Sequence, residues 1–261
     1  MFAIERHQKI RDLLMTEKHL DVSQLSKMFS VSEVTIRRDL EKLAKEGCLI
    51  KTYGGAVLNE EGTATPSYGG NGESGEEGEN NEDRKMIGRI AAEMVQPGEA
   101  IFLTPGPTCL EIAKNLYNKK GTVVTNDMNI GMILRDNIGM KTIVTGGDLM
   151  PSTGILVGHF SQKVLKGIFI NKAFIDVKGV SIESGYTVNS YDESVIIRTV
   201  LEISKETVIV ADHTKFDHTA FARLGDLTLA KKVITNRQVS TNYKKFFFEH
   251  AVKLYTTFEL E

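Results

Sequence analysis

Six short apolar runs of the kind that form buried strands recur between residues 100 and 235, and helical patterns lie between most of them. The runs are AIFL (100–103), TVVT (122–125), TIVT (142–145), AFIDV (173–177), TVIVA (207–211) and KVIT (232–235). Two of the helical patterns cover 108–117 and 192–204, and Ser190-x-x-Glu193 ahead of the second is typical of a capping box. Because strands that alternate with helices assemble into a mainly parallel sheet, this region is predicted to be a doubly wound α/β domain.

An acidic segment separates this region from the N-terminal part of the chain. Residues 59–83 contain eight Asp or Glu, no Lys or Arg and few large apolar side chains. Such a segment cannot bury enough surface to offset the entropy lost on ordering. We therefore predict a domain over 1–58, a flexible linker over 59–83 and a second domain over 84–261. The net charge of −2 comes from the linker, since both predicted domains are net positive.

The composition argues against several classes of protein. Cys48 and Cys109 are the two cysteines, and their spacing fits neither a disulfide framework nor a zinc site. No apolar run approaches the roughly 20 residues of a membrane span. The first residues also lack the apolar core of a signal peptide. We expect a cytoplasmic protein without a metal or another cofactor and without a membrane partner.

The N-terminal domain is predicted to contain three helices and a small β-hairpin. The first helix covers 4–15, and Asp21 or Ser23 caps the second. Ser32 caps the third helix, and two short apolar runs around Gly54-Gly55 form the hairpin. The third helix has a buried stripe with spacings of four and three residues, formed by Ile36, Leu40 and Leu43.

The exposed side of the third helix has the residue types of a DNA-reading surface. It carries Val34, Arg38 and Lys42, flanked by Thr35 and Arg37, with Lys51 and Tyr53 on the hairpin. Arginine can bond guanine or phosphate, threonine either a base or phosphate, and valine can contact a thymine methyl group. Contacts from the hairpin to the DNA backbone position the protein without reading sequence. The alternative is a solvated basic face whose cations form salt bridges with Asp39 or Glu41.

Three motifs of this domain form a long, tightly spaced signature. They are Arg6-x3-Ile10-x3-Leu14, Ser32-x-x-Thr35-Ile36-Arg37-Arg38-Asp39-Leu40, and Gly54-Gly55-Ala56 in the hairpin. The signature resembles the winged helix-turn-helix of the DeoR family of bacterial transcriptional regulators. The resemblance implies binding of double-stranded operator DNA, with Thr35, Arg37 and Arg38 as contacts. Together with the rest of the exposed face, the candidate DNA-binding residues are Ser32, Val34, Thr35, Arg37, Arg38, Lys42 and Lys51. The resemblance also makes Asp39 a structural partner of a nearby arginine, since a carboxylate facing phosphates would weaken binding.

Four of the predicted strands end in residues that suit a ligand site. The first runs through Thr104-Pro105-Gly106-Pro107-Thr108 into a helix, where backbone N–H groups and the helix dipole favour an anion. The other three end at Asn126, at Gly146-Gly147 and at Asp212-x-x-Lys215. Ligands of open α/β sheets collect at the carboxyl ends of the strands. The candidate effector-binding residues are therefore Gly106, Thr108, Asn126, Gly146, Gly147, Asp212 and Lys215, a set that suits a phosphorylated sugar or polyol. Alternatively, the glycines and the asparagine are turn formers, and Asp212 with Lys215 is a surface ion pair.

Residues 84–236 are also similar to the C-terminal domain of the DeoR family. That domain resembles ribose-5-phosphate isomerase in fold, and its effectors are typically phosphorylated sugars or related metabolites. The family usually has an Asp-Ala-Gly-Thr-Thr type of turn after the first strand. Here Thr104-Pro105-Gly106-Pro107-Thr108 stands in its place, so the acid and one hydroxyl are missing, and the two prolines have no N–H to donate. Asp176 stands where the family often has glycine.

The resemblance implies a repressor of a sugar or polyol utilisation operon that a phosphorylated metabolite releases from DNA. Operator symmetry and the resemblance together imply a homo-oligomer. One alternative is a sugar-phosphate isomerase with a DNA-binding appendage, in which Asp212 and Lys215 are an acid/base pair. Against it, the sequence shows no second clustered carboxylate with an obvious role as a base. A further alternative is an activator, or a regulator whose pocket no longer binds a ligand.

Overall fold

The computed structural model describes residues 6–7, 9–10, 13–14, 17, 19–45, 49–52, 54–58 and 77–256. The chain divides into two compact units, Met1–Ser67 and Tyr68–Glu261, and each has its own hydrophobic core. Cys48, Tyr53 and most of the predicted linker (59–76) lie outside the described residues. None of the described helices combines the length and the apolar character that crossing a bilayer requires.

The N-terminal unit combines helices with a three-stranded antiparallel sheet. In chain order its elements are β1 (His19–Asp21), α1 (Val22–Phe29), α2 (Glu33–Lys45), β2 (Leu49–Lys51) and β3 (Gly55–Leu58). The described residues between 6 and 17 are also helical, in agreement with the first predicted helix. β2 and β3 form the predicted hairpin, and β1 pairs with the other edge of β3. The sequence did not predict β1, because three residues are too few to show a period.

Asp21 joins this sheet to α1. Its carboxylate accepts the N–H groups of Ser23 at 2.7 Å and Gln24 at 3.3 Å, so Asp21 rather than Ser23 caps the helix. The backbone of Asp21 lies opposite Gly55 in the sheet. A Cβ atom at Gly55 would lie 1.9 Å from the carbonyl oxygen of Leu20. The close approach of β1 to β3 therefore requires glycine at this position.

The second helix of the unit turns its apolar stripe into the core. The Ser32 side chain accepts the N–H of Thr35 at 3.2 Å, which confirms the predicted cap. Ile36, Leu40 and Leu43 are at most 1% exposed and pack with apolar residues of the preceding helices and of the sheet. The opposite side of α2 consequently faces solvent.

The C-terminal unit is built on seven parallel strands. Its helices are α3 (Glu77–Glu93), α4 (Pro107–Lys114), α5 (Met128–Leu134), α6 (Gly158–Leu165), α7 (Tyr191–Ile203) and α8 (Thr241–Glu249). Its strands are β4 (Ala100–Leu103), β5 (Gly121–Thr125), β6 (Met140–Val144), β7 (Asp148–Leu149), β8 (Leu156–Val157), β9 (Ile170–Asp176), β10 (Gly179–Ser181), β11 (Gly185–Val188), β12 (Ser204–Val210), β13 (Ala222–Gly225), β14 (Lys232–Thr235) and β15 (Lys253–Thr256). A short 3-10 helix, His213–Lys215, follows β12.

The strand order of the main sheet is β15-β14-β12-β9-β4-β5-β6, and every neighbouring pair is parallel. The chain proceeds from β4 to β5 and β6 in one direction, and from β9 to β12, β14 and β15 in the other. The order thus reverses between β4 and β9, and such a switch point is where open α/β sheets bind ligands. The predicted parallel α/β architecture is confirmed. The smaller antiparallel sheets, β10-β11-β13 and β7-β8, and the edge strand β15 were not predicted.

Helices cover both faces of the main sheet. Ile101 and Leu103 of β4 belong to a core with residues of α3 and α4, whereas Phe102 between them belongs to a core with residues of α7 and α8. Strands that are buried on both faces carry apolar residues without alternation, which explains why the sequence runs are continuous. Phe247, in the aromatic run near the C-terminus, is fully buried in the same core as Phe102, whereas Phe248 is exposed.

Helix α3 begins at Glu77, so residues 77–83 of the segment predicted as a linker are helical. Acidic residues near a helix N-terminus are favoured by the helix dipole. Tertiary contacts also hold this end of the helix: the Asn236 amide donates to the Asp83 carboxylate at 2.5 Å, and Arg84 pairs with Asp212 at 2.9 Å. These partners are more than 120 residues away in the sequence, which is why the helix start could not be predicted from local composition.

The predicted capping box at the start of α7 is wrong. Ser190 is the N-cap residue, but its side chain forms no capping hydrogen bond. Its carbonyl oxygen accepts the N–H of Ser194 at 3.1 Å. Glu193 is half-buried, and its electrostatic interactions are described below.

Replacing Leu40 by Ala should lower the stability of the N-terminal unit by about 2–5 kcal/mol, because it opens a cavity in a tightly packed core. The measurement is urea unfolding of the full chain, followed by hydrogen exchange of peptides from 19–58. Glu41→Ala is the matched control, since Glu41 is exposed on the same helix and should change stability by less than about 0.5 kcal/mol. Equal protection in the two variants would contradict the placement of Leu40.

Candidate functional site

The exposed side of α2 presents the candidate DNA-binding residues. Val34 is 62% exposed, and Arg37, Arg38 and Lys42 are also exposed. Thr35 is half-buried, with its hydroxyl 2.9 Å from the hydroxyl of Ser32. The structure therefore places on one surface the helix residues that sequence reasoning selected. Val34 is an exposed apolar side chain surrounded by cations. Such a side chain is suited to contact a thymine methyl group.

Most cations of this surface are not neutralised within the protein. Arg37 forms an i,i+4 ion pair with Glu33 at 3.3 Å, which is exposed and therefore weak. Arg38, Lys42 and Lys51 form no ion pair with any other described residue. The alternative in which the arginines and the lysine pair with Asp39 or Glu41 is thus wrong for the described part of the chain. Solvated cations of this kind can exchange water and counterions for phosphates at little cost.

Asp39 lies on the buried side of α2 and anchors the helix to the N-terminal helical segment. Its carboxylate pairs with Arg6 at 2.6 Å and with His7 at 2.8 Å, and it is 5% exposed. Burial by itself would raise the pKa of Asp39, but the hydrogen bonds and charges of Arg6 and His7 outweigh it and hold the pKa below its ordinary value. The expected role of Asp39 as a structural partner of an arginine is confirmed.

The second candidate site lies at the switch point between β4 and β9. Gly106 is the N-cap residue of α4 and has φ of 146°. The N–H of Thr108 donates to the Asp176 carboxylate at 2.9 Å, and the N–H of Asp176 donates to the Thr104 hydroxyl at 2.8 Å. A Cβ atom at Gly106 would lie 2.3 Å from the same carboxylate oxygen. The turn after β4 is therefore packed directly against the side chain of Asp176, which sequence reasoning noted only as a departure from the family.

Asp212 follows β12, the strand beside β9, and is completely buried. Arg84 donates to its carboxylate at 2.9 Å, and both the N–H and the hydroxyl of Thr214 donate to it as well. Burial raises the pKa of Asp212, but the hydrogen bonds of Thr214 and the charges of Lys215 and Arg84 together keep the pKa below its ordinary value. The alternative of a surface ion pair with Lys215 is wrong: Asp212 is a buried carboxylate whose ion-pair partner is Arg84.

Charged groups from three elements converge beside Asp176. Burial raises the pKa of Asp176, and the charges of Lys178 and Lys215 offset this only in part. Burial also raises the pKa of Glu193, while Lys178 opposes the shift and Asp176 adds to it. Asp176, Glu193 and Arg84 were not among the predicted site residues. A sequence signal existed only for Asp176, because it stands where the family often has glycine.

Asn126 follows β5 and is 1% exposed. Its amide nitrogen donates to the carbonyl of Leu156 at 2.9 Å. Its side-chain oxygen has no hydrogen-bond partner within the described residues. A buried acceptor without a partner is costly, so this oxygen is suited to accept a hydrogen bond from a ligand.

Gly146 and Gly147 form the turn after the edge strand β6. Both have positive φ, and a Cβ atom at Gly147 would lie 2.3 Å from the carbonyl oxygen of Val157. The Ser161 hydroxyl donates to the carbonyl of Gly146. The ends of β12 and β6, four steps apart in the sheet, are separated by about 19 Å at an ordinary strand spacing. The structure therefore groups Gly106, Thr108, Asp212 and Lys215 around β9, and places the glycine pair well away from Asp212.

A helix-turn-helix unit with an exposed cationic helix, joined to an α/β unit with polar side chains at its switch point, is the architecture of a ligand-sensing transcriptional regulator. Two family models match the chain: a DeoR-like helix-turn-helix domain over residues 6–62 and a DeoR C-terminal sensor domain over residues 79–237. The chain belongs to the DeoR family.

Several curated proteins are similar over nearly the whole chain. An uncharacterised HTH-type transcriptional regulator, YulB of Bacillus subtilis (strain 168), is 30% identical over 254 residues, which are 97% of this chain and 96% of that one. The HTH-type transcriptional repressor GlcR of the same organism is 30% identical over 98% of this chain and 97% of its own. The glycerol-3-phosphate regulon repressor of Escherichia coli (strain K12) is 25% identical over 97% of this chain and 99% of its own.

Solved structures resemble part of the chain more distantly. Ribose 5-phosphate isomerase A of Neisseria gonorrhoeae is 17% identical, with a TM-score of 0.38 over 56% of each chain. The delta subunit of eIF2B from Chaetomium thermophilum is 12% identical, with a TM-score of 0.46 over 60% of this chain and 57% of its own. At these scores neither likeness supports an inference about function.

Replacing Arg38 by Ala should weaken binding to operator DNA by about 10- to 100-fold, the worth of one good arginine contact to a base or phosphate. The measurement is a gel shift or fluorescence anisotropy at a fixed salt concentration. Lys205→Ala is the matched control, because it removes a positive charge from an exposed position in the C-terminal unit. An equal loss of affinity in both variants would mean that Arg38 acts only through net charge.

Replacing Arg84 by Met should lower the free energy of unfolding by about 3–5 kcal/mol, because it leaves the buried Asp212 carboxylate without its ion pair. Arg84→Met combined with Asp212→Asn should recover much of this loss. The pKa of Asp212 is lowered in the folded state, so the stabilisation is present above the ordinary aspartate pKa of about 3.9 and is lost as the pH falls through the lower folded-state value. Urea unfolding between pH 3 and pH 7 measures both effects. A double variant as unstable as the single one would contradict the pairing.

Proposed function

We propose that the chain is a repressor that binds operator DNA through α2 and β2, and that releases it when the C-terminal unit binds a small metabolite. The observation that carries the proposal is the sorting of charge across α2. The carboxylate of Asp39 is buried against Arg6 and His7, while Arg38 and Lys42 are exposed to solvent. This arrangement keeps the Asp39 carboxylate away from phosphates, so that Glu33 and Glu41 are the acidic side chains that remain exposed on the helix. Ser32, Val34, Thr35, Arg37 and Lys51 complete the proposed contact set.

The proposed effector is a phosphorylated sugar or polyol of the pathway that the operon encodes. Support comes from the polar groups at the switch point and from two relatives that are named for the systems they repress: a glycerol-3-phosphate regulon repressor and a lactose phosphotransferase system repressor of Lactococcus lactis. The proposed contacts are Gly106, Thr108, Asn126, Asp212 and Lys215, with Gly146 and Gly147 at the far side of the crevice. The proposed organisation is a DNA-binding domain over 1–58, a linker within 59–83 and a sensor domain over 84–261, in a protein that acts in the cytoplasm.

Release from DNA is proposed to act through the oligomer. A homo-oligomer that binds several half-sites gains avidity, and a change of oligomer state on binding the effector removes it. Such coupling needs no rigid connection through the acidic segment. The effector has only to bind one sensor state more tightly than the other.

The proposal is for a regulator without enzymatic activity. Asp212, the carboxylate that an isomerase would need as a base, is buried and saturated by hydrogen bonds from Arg84 and Thr214. A lowered pKa and three donors make a carboxylate a poor acceptor for a substrate proton. Absence of turnover on ribose 5-phosphate and related sugar phosphates is the expected result.

The test is a gel shift on the promoters upstream of and next to the chain's own gene, with and without a panel of phosphorylated sugars and polyols. Specific binding that one compound abolishes is the expected result, and it identifies the effector. The mass of the complex should be measured in the same titration. Specific binding that no compound affects would contradict the effector, and failure to bind any of these promoters would contradict the repressor.

A further inference from the structure

The turn after β4 has few backbone donors for an anion. Pro105 and Pro107 have no N–H, and Pro107 is the first residue of α4. The N–H of Thr108 is the next donor along the helix, and the N–H of Leu110 already bonds the carbonyl of Gly106 at 3.0 Å. The ability of this turn to hold a phosphate therefore depends on the N–H groups of Gly106, Thr108 and Cys109.

The N–H of Thr108 already donates a hydrogen bond within the protein. The Asp176 carboxylate accepts the Thr108 N–H at 2.9 Å and lies so close to Gly106 that a Cβ atom there would be 2.3 Å from it. The backbone of Asp176 is held in turn by the Thr104 hydroxyl at 2.8 Å. Asp176 is 3% exposed, so its side chain is enclosed and does not swing freely into solvent. The carboxyl group of Asp176 thus occupies the place where the helix dipole favours an anion.

We propose that Asp176 is a specificity-determining residue: its carboxylate fills the anion position at the N-terminus of α4, so this end of the effector site rejects phosphate and offers hydrogen-bond acceptors instead. The inference rests on the proposed function, in that it assigns the orientation of the effector. A second, independent observation agrees with it. The buried side-chain oxygen of Asn126, after the strand next to β4, lacks a partner among the described residues and is also an acceptor. Acceptors at this end suit the hydroxyl groups of a sugar or polyol.

A cation that could hold the phosphate of such an effector lies on the β12 side, where Lys215 ends the 3-10 helix that follows β12. The charge of Lys215 acts on both Asp176 and Asp212, and the charge of Lys178, which follows β9, acts on Asp176 and Glu193. A phosphate placed at the N-terminus of α4 would have to displace the side chain that already bonds the Thr108 N–H.

The experiment follows one backbone signal of the full chain. Threonine labelled with carbonyl 13C and cysteine labelled with 15N give a single filtered amide signal, because Thr108-Cys109 is the only Thr-Cys pair in the sequence. Inorganic phosphate is titrated at constant ionic strength into the wild type, Asp176→Gly and Asp176→Ala. Asp176→Asn is the matched control, since it keeps the size of the side chain and an acceptor for the Thr108 N–H. Thermal unfolding verifies that each variant is folded.

The expected result is a saturable shift of this signal in the Gly and Ala variants, with an apparent affinity at least about ten-fold higher than in the wild type or in Asp176→Asn. A saturable shift of equal affinity in the wild type would overturn the proposal, because the position would then be open to phosphate. The absence of a shift in Asp176→Gly and Asp176→Ala, when both variants are folded, would also overturn the proposal, because the turn would then not be an anion site. Gel shifts with the wild type test the repressor separately. Failure of the proposed function is therefore distinguished from failure of the proposed role of Asp176.

Discussion

The parallel pairing of β4 with β9 is the contact on which the C-terminal unit depends. The strand order reverses at this pair, and such a switch point is where open α/β sheets bind ligands. The turn after β4 and the end of β9 lie next to each other there. The hydrogen bonds of Asp176 with Thr104 and Thr108 tie the two strand ends together at the position where a ligand would bind.

Two departures from the family pattern meet at this point. The related family usually has an acid at the start of the turn, where this chain has Thr104, and often has glycine where this chain has Asp176. The hydroxyl of Thr104 now supports the backbone of Asp176, so the two departures are parts of one arrangement. The carboxyl group that lies at the N-terminus of α4 comes from the end of β9.

The N-terminal unit also contains a buried carboxylate that is held by ion pairs. In α2 the Asp39 carboxylate is buried against Arg6 and His7, which keeps one of the three acidic side chains of this helix away from phosphates. The ion pair also joins α2 to the preceding helical segment. In both units a buried carboxylate is held by partners that are distant in the sequence.

The sequence alone determined the secondary structure and the class of fold, because the periods of apolar residues are local. It identified the buried stripe of α2, the hairpin and six of the seven parallel strands, and the DNA-binding face followed from the same period. It could not determine the edge strand β15, the short antiparallel sheets or the start of α3, since these elements depend on partners elsewhere in the chain. Only the tertiary structure decided the composition of the crevice. Asp176 meets Thr108 across 68 residues and Arg84 meets Asp212 across 128, and contacts at such separations leave no trace in local spacing.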